Sequence, residues 1–380
     1  MNFQFTEEQE MIRQTAKDFA EAEIAPSATE RDINGEFPVE IVKKLGELGF
    51  MGMMVSPEYG GAGMDTLSYV LAMIEISKVD ASVGVIMSVN NSLVTWGLEQ
   101  FGSDHLKDKY LVPLAQGLKL GAFALSEPEA GSDATNQNTM AEKEGDCYIV
   151  NGIKNWITNG KMADYYIVMA QTDKVKRHKG ISALLVEKGT EGFEQAKKED
   201  KLGIRSSDTC SLTFNNCKVP AENLIWEEGK GFNFAMKTLN GGRIGIAAQA
   251  LGIAEASLEA AIKYAKTRKA FGTEIANHQA IQFKLADMAM ELESAKLLTF
   301  RAASLKDNHL DYTKESAMAK LAASKAAVHC ALEAIQIHGG YGYVREYLVE
   351  RYLRDAKITE IYEGTSEIQR LVIARSLLVQ

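Results

Sequence analysis

The spacing of apolar positions changes twice along this chain. Near the C-terminus apolar residues recur at every third or fourth position, at Ile281, Leu285, Met288, Leu292, Ala295 and Leu298. Such a stripe predicts the inner face of a helix in a bundle. All six prolines lie at or before Pro220, so the strongest helix breaker is missing from the rest of the chain. The alanine-rich run 313–338 predicts a second long helix, which ends at Gly339–Gly340.

The middle of the chain has a different pattern. Short runs rich in β-branched and aromatic residues indicate strands at 147–160, 165–171, 181–187 and 210–220. The pair Asn151–Gly152 divides the first run and predicts a hairpin turn there. No helical segments separate the runs, so we expect a small antiparallel sheet or barrel and not a doubly wound sheet.

Three parts follow from this division. Residues 1–120 have a helical pattern that begins with a capping box at Thr6 and Gln9. Residues 121–228 form the β part, and residues 229–380 form a second α-helical part. Neither a tandem repeat nor a low-complexity linker separates them.

Composition is that of a globular protein. The chain has 380 residues, 46% of them hydrophobic and 24% charged, and its net charge is −9. An acidic chain is a poor candidate for binding nucleic acid, and no apolar run is long enough to predict a membrane span. The N-terminus resembles neither a secretory signal nor a transit peptide, so we expect a cytoplasmic protein. The cysteines and histidines lack metal-ligand spacing, which predicts reduced thiols and no metal.

The sequence IYEGT at 361–365 contains the first candidate for chemistry. Glu363 precedes Gly364, which permits a tight turn. Ser366 with Gln369 matches the capping pattern of a last helix that runs through Leu378. A carboxylate at this place is either an acid that favours a helix N-terminus or a base aimed at a ligand. Local spacing leaves both interpretations open.

Two stretches in the middle of the chain suit a ring-shaped ligand. The segment 123–139 brings together small residues, hydroxyls and amides, and Gly131–Ser132 would let backbone amides approach a ligand. Trp156 and Thr158 are two apart on a predicted strand and therefore share one side of it. A polar loop between domains and a core tryptophan are the simpler alternatives. Neither GxGxxG nor a P-loop occurs.

Two arginines and a glycine pair are candidates for binding phosphate. Arg243 and Arg268 lie near predicted helix ends, where a guanidinium could bind a phosphate through two donors. Surface arginines are common, so each alone is a weak signal. The pair Gly339–Gly340 fits a plain helix C-cap, and His338 before it fits a packed histidine.

Taken together and in this order, six blocks resemble the flavin-dependent acyl-CoA dehydrogenase family. They are SEPEAGSDA (126–134), WITNG (156–160), NGGRIGIAAQALGIA (240–254), HQAIQFKLADM (278–288), QIHGGYGY (336–343) and RDAKITEIYEGTSEIQR (354–370). The resemblance covers essentially the whole chain and is greatest to the short-chain, or butyryl-CoA, members. It implies an α-helical N-terminal domain, a β-barrel middle domain and a C-terminal four-helix bundle. It also implies a homotetramer that binds FAD partly across a subunit boundary and passes electrons to an electron-transferring flavoprotein.

The same resemblance implies which residues hold the ligands. For FAD they are Phe123, Leu125, Ser126, Gly131, Ser132, Trp156, Ile157, Thr158, Arg268, Phe271, Gln279, Gln336, Gly339, Gly340, Thr365 and Glu367. For the acyl-CoA they are Ser132, Asn240, Arg243 and Gly364.

By this resemblance Glu363 is the catalytic base, which removes the α-proton of an acyl thioester while the β-hydride passes to flavin N5. A dry pocket would raise the pKa of this carboxyl to suit the reaction. Some members carry the base just before the arginine of the CoA-handling turn, but here Gly242 has that place. Members that act on glutaryl-CoA have a cation in the acyl pocket, and residues 81–100 contain no Lys or Arg. We therefore expect an unsubstituted or simply branched acyl chain.

Other functions stay open on sequence alone. A medium-chain or 2-methyl-branched substrate is the first alternative. An acyl-CoA oxidase that uses dioxygen is the second, although such enzymes are usually longer. A family member that has lost dehydrogenation and acts as a binding protein, or a purely structural helical assembly, completes the set.

Overall fold

The structure is a computed structural model that describes residues 4–378. Within these residues eight α-helices precede the first strand: α1 Glu7–Phe19, α2 Ala25–Asn34, α3 Val39–Glu47, α4 Thr66–Val79, α5 Ala81–Ser88, α6 Trp96–Phe101, α7 Asp104–Leu106 and α8 Val112–Ala115. The predicted capping box is confirmed, because Thr6 Oγ1 accepts the N–H of Gln9 and the Gln9 side chain accepts the N–H of Thr6. A π-helical segment, Val89–Thr95, joins α5 to α6.

Eight strands form one sheet in the middle of the chain. They are β1 Gly121–Ala124, β2 Met140–Glu144, β3 Cys147–Thr158, β4 Tyr165–Gln171, β5 Ile181–Glu187, β6 Phe193–Gln195, β7 Thr209–Pro220 and β8 Leu224–Ile225. The order is β6-β7-β3-β2-β4-β5-β8, with β1 beside β4. The pairs are antiparallel except β1 with β4 and the short pairing of β2 with β4, which are parallel.

The hairpin predicted at Asn151–Gly152 is wrong. Both residues lie inside the single strand β3, where the register against β7 shifts between Val150 and Gly152. A side chain at position 152 would lie 2.5 Å from Thr139 Oγ1, so this glycine permits a close approach of two backbone segments. The turn of the hairpin lies earlier, between β2 and β3, where Gly145 has φ 57°.

Five helices follow the sheet: α9 Gly231–Ala265, α10 Gln279–Asp307, α11 Thr313–His338, α12 Val349–Ile358 and α13 Ser366–Leu378. Two short strands, β9 Lys269–Ala270 and β10 Thr273–Glu274, pair between α9 and α10. The stripe predicted for α10 is confirmed, since Met288, Leu292 and Ala295 are buried. The predicted domain limits at 120 and 228 fall in the loops before β1 and α9, and they stay a prediction.

Helix α9 corrects two predictions. By length and composition it could cross a membrane, contrary to our expectation from the sequence, but 78% of its most apolar window is buried inside the fold. Its apolar character is therefore that of a core helix. Arg243 was expected near a helix end, yet it lies in the interior of this helix because Gly241 and Gly242 do not interrupt it.

The sheet separates two apolar cores. On one face Phe123, Ile167 and Leu185 pack with the helices in a core that extends through both helical parts. On the other face Tyr166 and Val168 belong to a second core inside the β part. Alternate residues of β4 thus serve different cores, which is the period of two expected of a strand.

Charged side chains on α12 join the three parts of the chain. Arg354 pairs with Asp32 of α2 at 2.7 Å and donates to the carbonyl of Leu202 at 3.2 Å. Asp355 accepts the backbone N–H of Ile204 at 2.5 Å. Because α12 leads directly into the turn that holds Glu363, the helix that joins the parts also positions this turn.

A buried ion pair fixes the loop between β1 and β2. Lys154 on β3 is fully buried, and its ammonium lies 2.8 Å from Glu127 Oε1. The same ammonium donates to the carbonyl of Leu125 at 3.1 Å, while Glu127 accepts the N–H groups of Asn138 and Thr139. Both ends of the loop are therefore tied to one charge pair.

Glu127→Gln is expected to lower the free energy of unfolding by about 3 kcal/mol, because it leaves the ammonium of Lys154 buried without a counter-charge. Urea denaturation followed by circular dichroism measures the change. Glu40→Gln is the matched control, since Glu40 pairs with Lys43 at the same 2.8 Å but in solvent, and it should change stability little. Equal effects of the two substitutions would contradict the role of the buried pair.

Candidate active site

The turn between α12 and α13 has an unusual backbone. Glu363 has φ 51° and Gly364 has φ 94°, so two successive residues lie in the left-handed region. Glycine adopts this conformation freely, whereas glutamate has a Cβ that makes it unfavourable. Neighbouring groups must therefore hold Glu363 in place, and non-glycine residues in this region are often found at functional sites.

Two side chains hold the turn by its carbonyl groups. The ammonium of Lys320, from α11, donates to the carbonyl of Gly364 at 2.7 Å. The side-chain amide of Gln369 donates to the same oxygen at 2.8 Å and to the carbonyl of Glu363 at 3.3 Å. The backbone N–H of Ser366 also returns to the carbonyl of Glu360 at 2.9 Å.

These contacts correct the predicted cap of α13. Ser366 is the first residue of the helix, and its hydroxyl is buried without a partner among the described residues. The hydroxyl of Thr365 accepts the N–H of Ile368 at 3.4 Å and thus caps the helix one residue earlier. Gln369 does not close a capping box because its amide is used to hold the turn.

The carboxylate of Glu363 points into the protein against α9. Its Oε2 atom is sealed from solvent and has no hydrogen-bond partner within residues 4–378. A Cβ placed on Gly242 would lie 2.1 Å from this oxygen and 2.7 Å from a methyl group of Leu93. The missing side chain at 242 therefore makes the space in which the carboxylate lies.

Burial raises the pKa of Glu363 to about 7, and the positive charges of Lys320 and Arg243 offset only part of this effect. Two tyrosines lie close enough for the charge of Glu363 to raise their pKa values further, Tyr69 from α4 and the adjacent Tyr362. A dry carboxyl group that titrates near neutrality and lacks a partner is able to accept a proton from a bound ligand.

Arg243 and Asn240 form a polar pair beside this carboxylate. The guanidinium of Arg243 donates to the side-chain oxygen of Asn240 at 2.6 Å, and Asn240 donates to the hydroxyl of Thr313 at 2.9 Å. Burial lowers the pKa of Arg243, while the charge of Glu363 acts to raise it. Its Nε atom is buried and has no partner in the described part of the chain.

Strand β3 presents an exposed tryptophan, not a core one. Trp156 has φ 62°, lies at a shift of register between Lys154 and Ile157, and is 64% exposed. Ile157 beside it is buried, and Thr158 is half-buried. The N–H of Asn155 donates to the carbonyl of Ser126 at 2.9 Å, so β3 and the loop that contains Ser126, Gly131 and Ser132 are joined.

A cleft of about 520 Å³ lies at the C-terminal end of α11. The residues that line it include Arg268, Gly339 and Gly340, which the family resemblance assigns to FAD, together with Tyr264 and His338. His338 is a packed histidine, stacked on Tyr264 with 4.2 Å between the ring centroids. Side chains at Gly339 and Gly340 would meet nothing within 4 Å, so both backbones face open space.

The structure does not bring every predicted residue to this cleft. Phe271, Gln279 and Gln336 are exposed and are absent from its lining, and Phe271 is 97% exposed. Phe123 is buried in β1, and Leu125 is half-buried just after it. Thr365 caps α13, and Glu367 is exposed in the first turn of that helix.

Sequence reasoning missed the residues that hold Glu363. Lys320 falls on the small-residue stripe of α11, between Ser316 and Ala323, and a charged residue on a buried stripe is the signal that could have revealed it. Gln369 was assigned to a cap and not to the turn.

Lys306 was also missed, because it lies on α10 and not in the stretch 81–100 that was searched for a cation. Residues 81–100 contain no Lys or Arg, but α10 brings the Lys306 ammonium 5.6 Å from the ring centroid of Trp96 and 3.3 Å from Met54 Sδ. A Cβ on Gly241 would lie 3.8 Å from this ammonium. The cation thus faces Gly241, while the Glu363 carboxylate lies against Gly242, about 100° further round the helix.

Three family models together match most of the chain. They are Acyl-CoA dehydrogenase, N-terminal domain, at residues 6–118; Acyl-CoA dehydrogenase, middle domain, at 122–217; and Acyl-CoA dehydrogenase, C-terminal domain, at 229–378. Among curated proteins, the mitochondrial short-chain specific acyl-CoA dehydrogenase of Mus musculus is 57% identical over 98% of this chain and 90% of its own length.

Solved structures agree with this assignment. Butyryl-CoA dehydrogenase from Megasphaera elsdenii is 50% identical and superposes with a TM-score of 0.98 over 100% of both chains. A structure described as the electron transferring flavoprotein of Acidaminococcus fermentans, towards a mechanism of flavin-based electron bifurcation, gives a TM-score of 0.99 at 50% identity over 100% of both chains. The resemblance and the fold class predicted from the sequence are confirmed, and the chain belongs to the acyl-CoA dehydrogenase family.

Proposed function

We propose that this chain is a FAD-dependent dehydrogenase that converts a short-chain acyl-CoA to the trans-2-enoyl-CoA. The observation that carries the proposal is the Oε2 atom of Glu363, which is sealed from solvent and has no partner within residues 4–378; burial raises the pKa of this carboxyl to about 7. The α-proton of a thioester is weakly acidic, so a base must meet it in a dry site where its proton affinity is high. When bound, FAD supplies the acceptor for the β-hydrogen, which leaves as hydride to N5.

The backbone of the same residue suits the second task of the reaction. Negative charge develops on the thioester oxygen as the α-proton leaves, and hydrogen-bond donors must stabilise it. The N–H of Glu363 donates to no other described residue, so it is free to bind this oxygen. The left-handed turn of Glu363 and Gly364 therefore presents a base and a donor from one residue.

The described residues fit a flavin dinucleotide. Arg268 and the open backbone of Gly339 and Gly340 suit the pyrophosphate and adenosine in the cleft at the end of α11. The exposed ring of Trp156 suits one side of the flavin, with Thr158 next to it. The remaining FAD contacts carried over from the family, among them Phe271, Gln279 and Gln336, belong to this proposal.

The acyl-CoA would lie between Glu363 and Arg243. Arg243 and Asn240 offer polar groups beside the carboxylate, and we assign them with Gly364 and Ser132 to the CoA chain. The walls next to the carboxylate are Leu93 and the backbone of Gly242, which suits an apolar acyl group. Since Lys306 faces Gly241 and not this carboxylate, we keep the expectation of an unsubstituted or simply branched chain.

We further propose a homotetramer that reduces an electron-transferring flavoprotein. Helix α10 exposes Phe283, Met290 and Leu297 on the side away from its buried stripe, and a second copy of the chain would cover them. The Acidaminococcus structure, which is named for an electron transferring flavoprotein, supports the choice of acceptor. A cytoplasmic location stays a prediction of the sequence.

Anaerobic reduction of the bound flavin by acyl-CoAs of about four to sixteen carbons tests the activity. We expect the fastest reduction with butyryl-CoA and none with glutaryl-CoA. Glu363→Gln should keep the yellow flavin and bind the thioester, but it should slow reduction by about 10³-fold because the proton acceptor is lost. Full reduction by this variant would refute the assignment of the base, and a colourless protein that binds DNA would favour the binding-protein alternative.

The rate of flavin reduction should increase with pH. The base must be ionised, and the pKa of Glu363 is raised from its ordinary value to about 7, so kcat/KM should rise as the pH rises through about 7. The same shift makes the ionised carboxylate a cost to folding, so this contribution to stability should fall as the pH rises from about 4.5, the ordinary pKa, to about 7, and stay constant above that. In Glu363→Gln this loss of stability should be absent. Stopped-flow reduction and thermal unfolding between about pH 5 and 9 measure the two effects.

Two adjacent glycines provide a matched pair for testing the geometry. Gly242→Ala should lower kcat/KM by about 100-fold, because the new methyl group would displace the carboxylate of Glu363. Gly241→Ala should retain activity, since its methyl group would meet nothing closer than 3.8 Å. Steady-state kinetics with butyryl-CoA compares them. Similar losses in both variants would mean that helix packing, and not the carboxylate, explains the result.

A further inference from the structure

Lys320 is a buried lysine beside the turn that holds Glu363, and the proposed reaction assigns it no role. It belongs to α11, and its side chain is completely buried. Within the described residues it pairs with no carboxylate, and its ammonium donates to the carbonyl of Gly364 at 2.7 Å. An unpaired buried ammonium is costly, so its place beside this turn requires an explanation.

We propose that Lys320 is the positioning residue of the base: its ammonium fixes the turn that aims the Glu363 carboxylate and places a positive charge near that carboxylate. The proposal rests on the proposed function of Glu363 as the base. It assigns Lys320 two effects, one geometric and one electrostatic, which different substitutions can separate.

The geometric effect follows from the backbone of the turn. Glu363 at φ 51° has a backbone conformation that is unfavourable for a residue with a Cβ. The carbonyl of Gly364 would be free to rotate without its two donors, and Lys320 is one of them. Gln369 is the other, and it is neutral, so the turn offers one charged and one uncharged group with the same acceptor.

The electrostatic effect follows from the charges that face the carboxylate. Lys320 from α11 and Arg243 from α9 lower the pKa of Glu363, and Lys320 has the larger influence. The tyrosines Tyr69 from α4 and Tyr362 from the turn are neutral near pH 7, because burial raises their pKa values. Burial lowers the pKa of Lys320 itself to about 8; Arg243 acts in the same direction, whereas Glu363, Glu360 and Glu367 act to raise it.

Lys320 influences the carboxylate of Glu363 without donating a hydrogen bond to it, and this arrangement suits a catalytic base. Its ammonium is bonded to a carbonyl and not to the carboxylate, so Oε2 of Glu363 stays without a partner. A lysine in contact would form an ion pair and hold the carboxylate ionised but unreactive. A lysine that donates to the adjacent carbonyl offsets part of the rise in pKa that burial causes, and it leaves the carboxylate oxygen free to accept a proton.

The test compares the pH dependence of kcat/KM for butyryl-CoA in the holoenzyme and three variants. Lys320→Met removes both the donor and the charge, so the rising limb of the pH profile, where kcat/KM increases with pH, should move to higher pH by about one unit. Lys320→Arg retains the charge, and its limb should stay at the wild-type position even if the rate falls. Gln369→Leu removes only a neutral donor, so it should lower the rate at all pH values without moving the limb.

Each outcome decides the proposal. A limb in Lys320→Met that coincides with wild type, or an equal shift in Gln369→Leu, would overturn it. If the methionine variant does not fold with its flavin, Lys320→Gln keeps a donor without a charge and should show the same shift. Absence of flavin reduction in wild type would refute the proposed function, whereas a reactive wild type with an unmoved limb in the variants would refute only the role of Lys320.

Discussion

The structure depends on keeping one carboxyl group dry. Glu363 has an oxygen that is sealed from water and meets no donor among the described residues, which is among the more expensive arrangements a protein can make. The cost is reduced because the carboxyl group is partly protonated, and therefore uncharged, near neutral pH, as follows from its raised pKa. The turn is held by Lys320 and Gln369, and α12, which joins the three parts of the chain, leads into it.

Helix α9 supplies the other side of the same site. Its interior contains Gly241, Gly242 and Gly245, residues that weaken an isolated helix. Tertiary packing outweighs that preference, because side chains at 242 and 245 would collide with Glu363 and with the hydroxyl of Tyr69 respectively. The glycines at 242 and 245 allow neighbouring elements to pack closely against α9, and they do not make the helix flexible. The helix remains continuous, and Arg243 next to them is held inside the protein beside the carboxylate.

The sequence predicted the order of the helical and β parts, the cap of α1, the stripe of α10 and the end of α11 because each follows from local spacing. It did not predict the bulge at Gly152, the cap at Thr365 or the burial of Arg243, since these depend on contacts with distant segments. The environment of Glu363 is of the same kind: Lys320 is remote in sequence and meets the turn only after α11 packs against α13. Motifs could identify the acid, but only the fold reveals which neighbours control it.

Two glutamates with desolvated carboxyl groups show what contact with a lysine does. Glu127 touches the ammonium of Lys154 at 2.8 Å, and although burial acts to raise its pKa, the ion pair and backbone donors hold the pKa below its ordinary value. The carboxyl of Glu363 is desolvated too, but its lysine donates to the next carbonyl, and its pKa rises to about 7. The first arrangement makes a structural anchor that stays ionised. The second makes a group that can change its protonation state during a reaction. Whether the lysine donates to the carboxylate itself or to the carbonyl of the next residue therefore distinguishes a structural ion pair from a catalytic base.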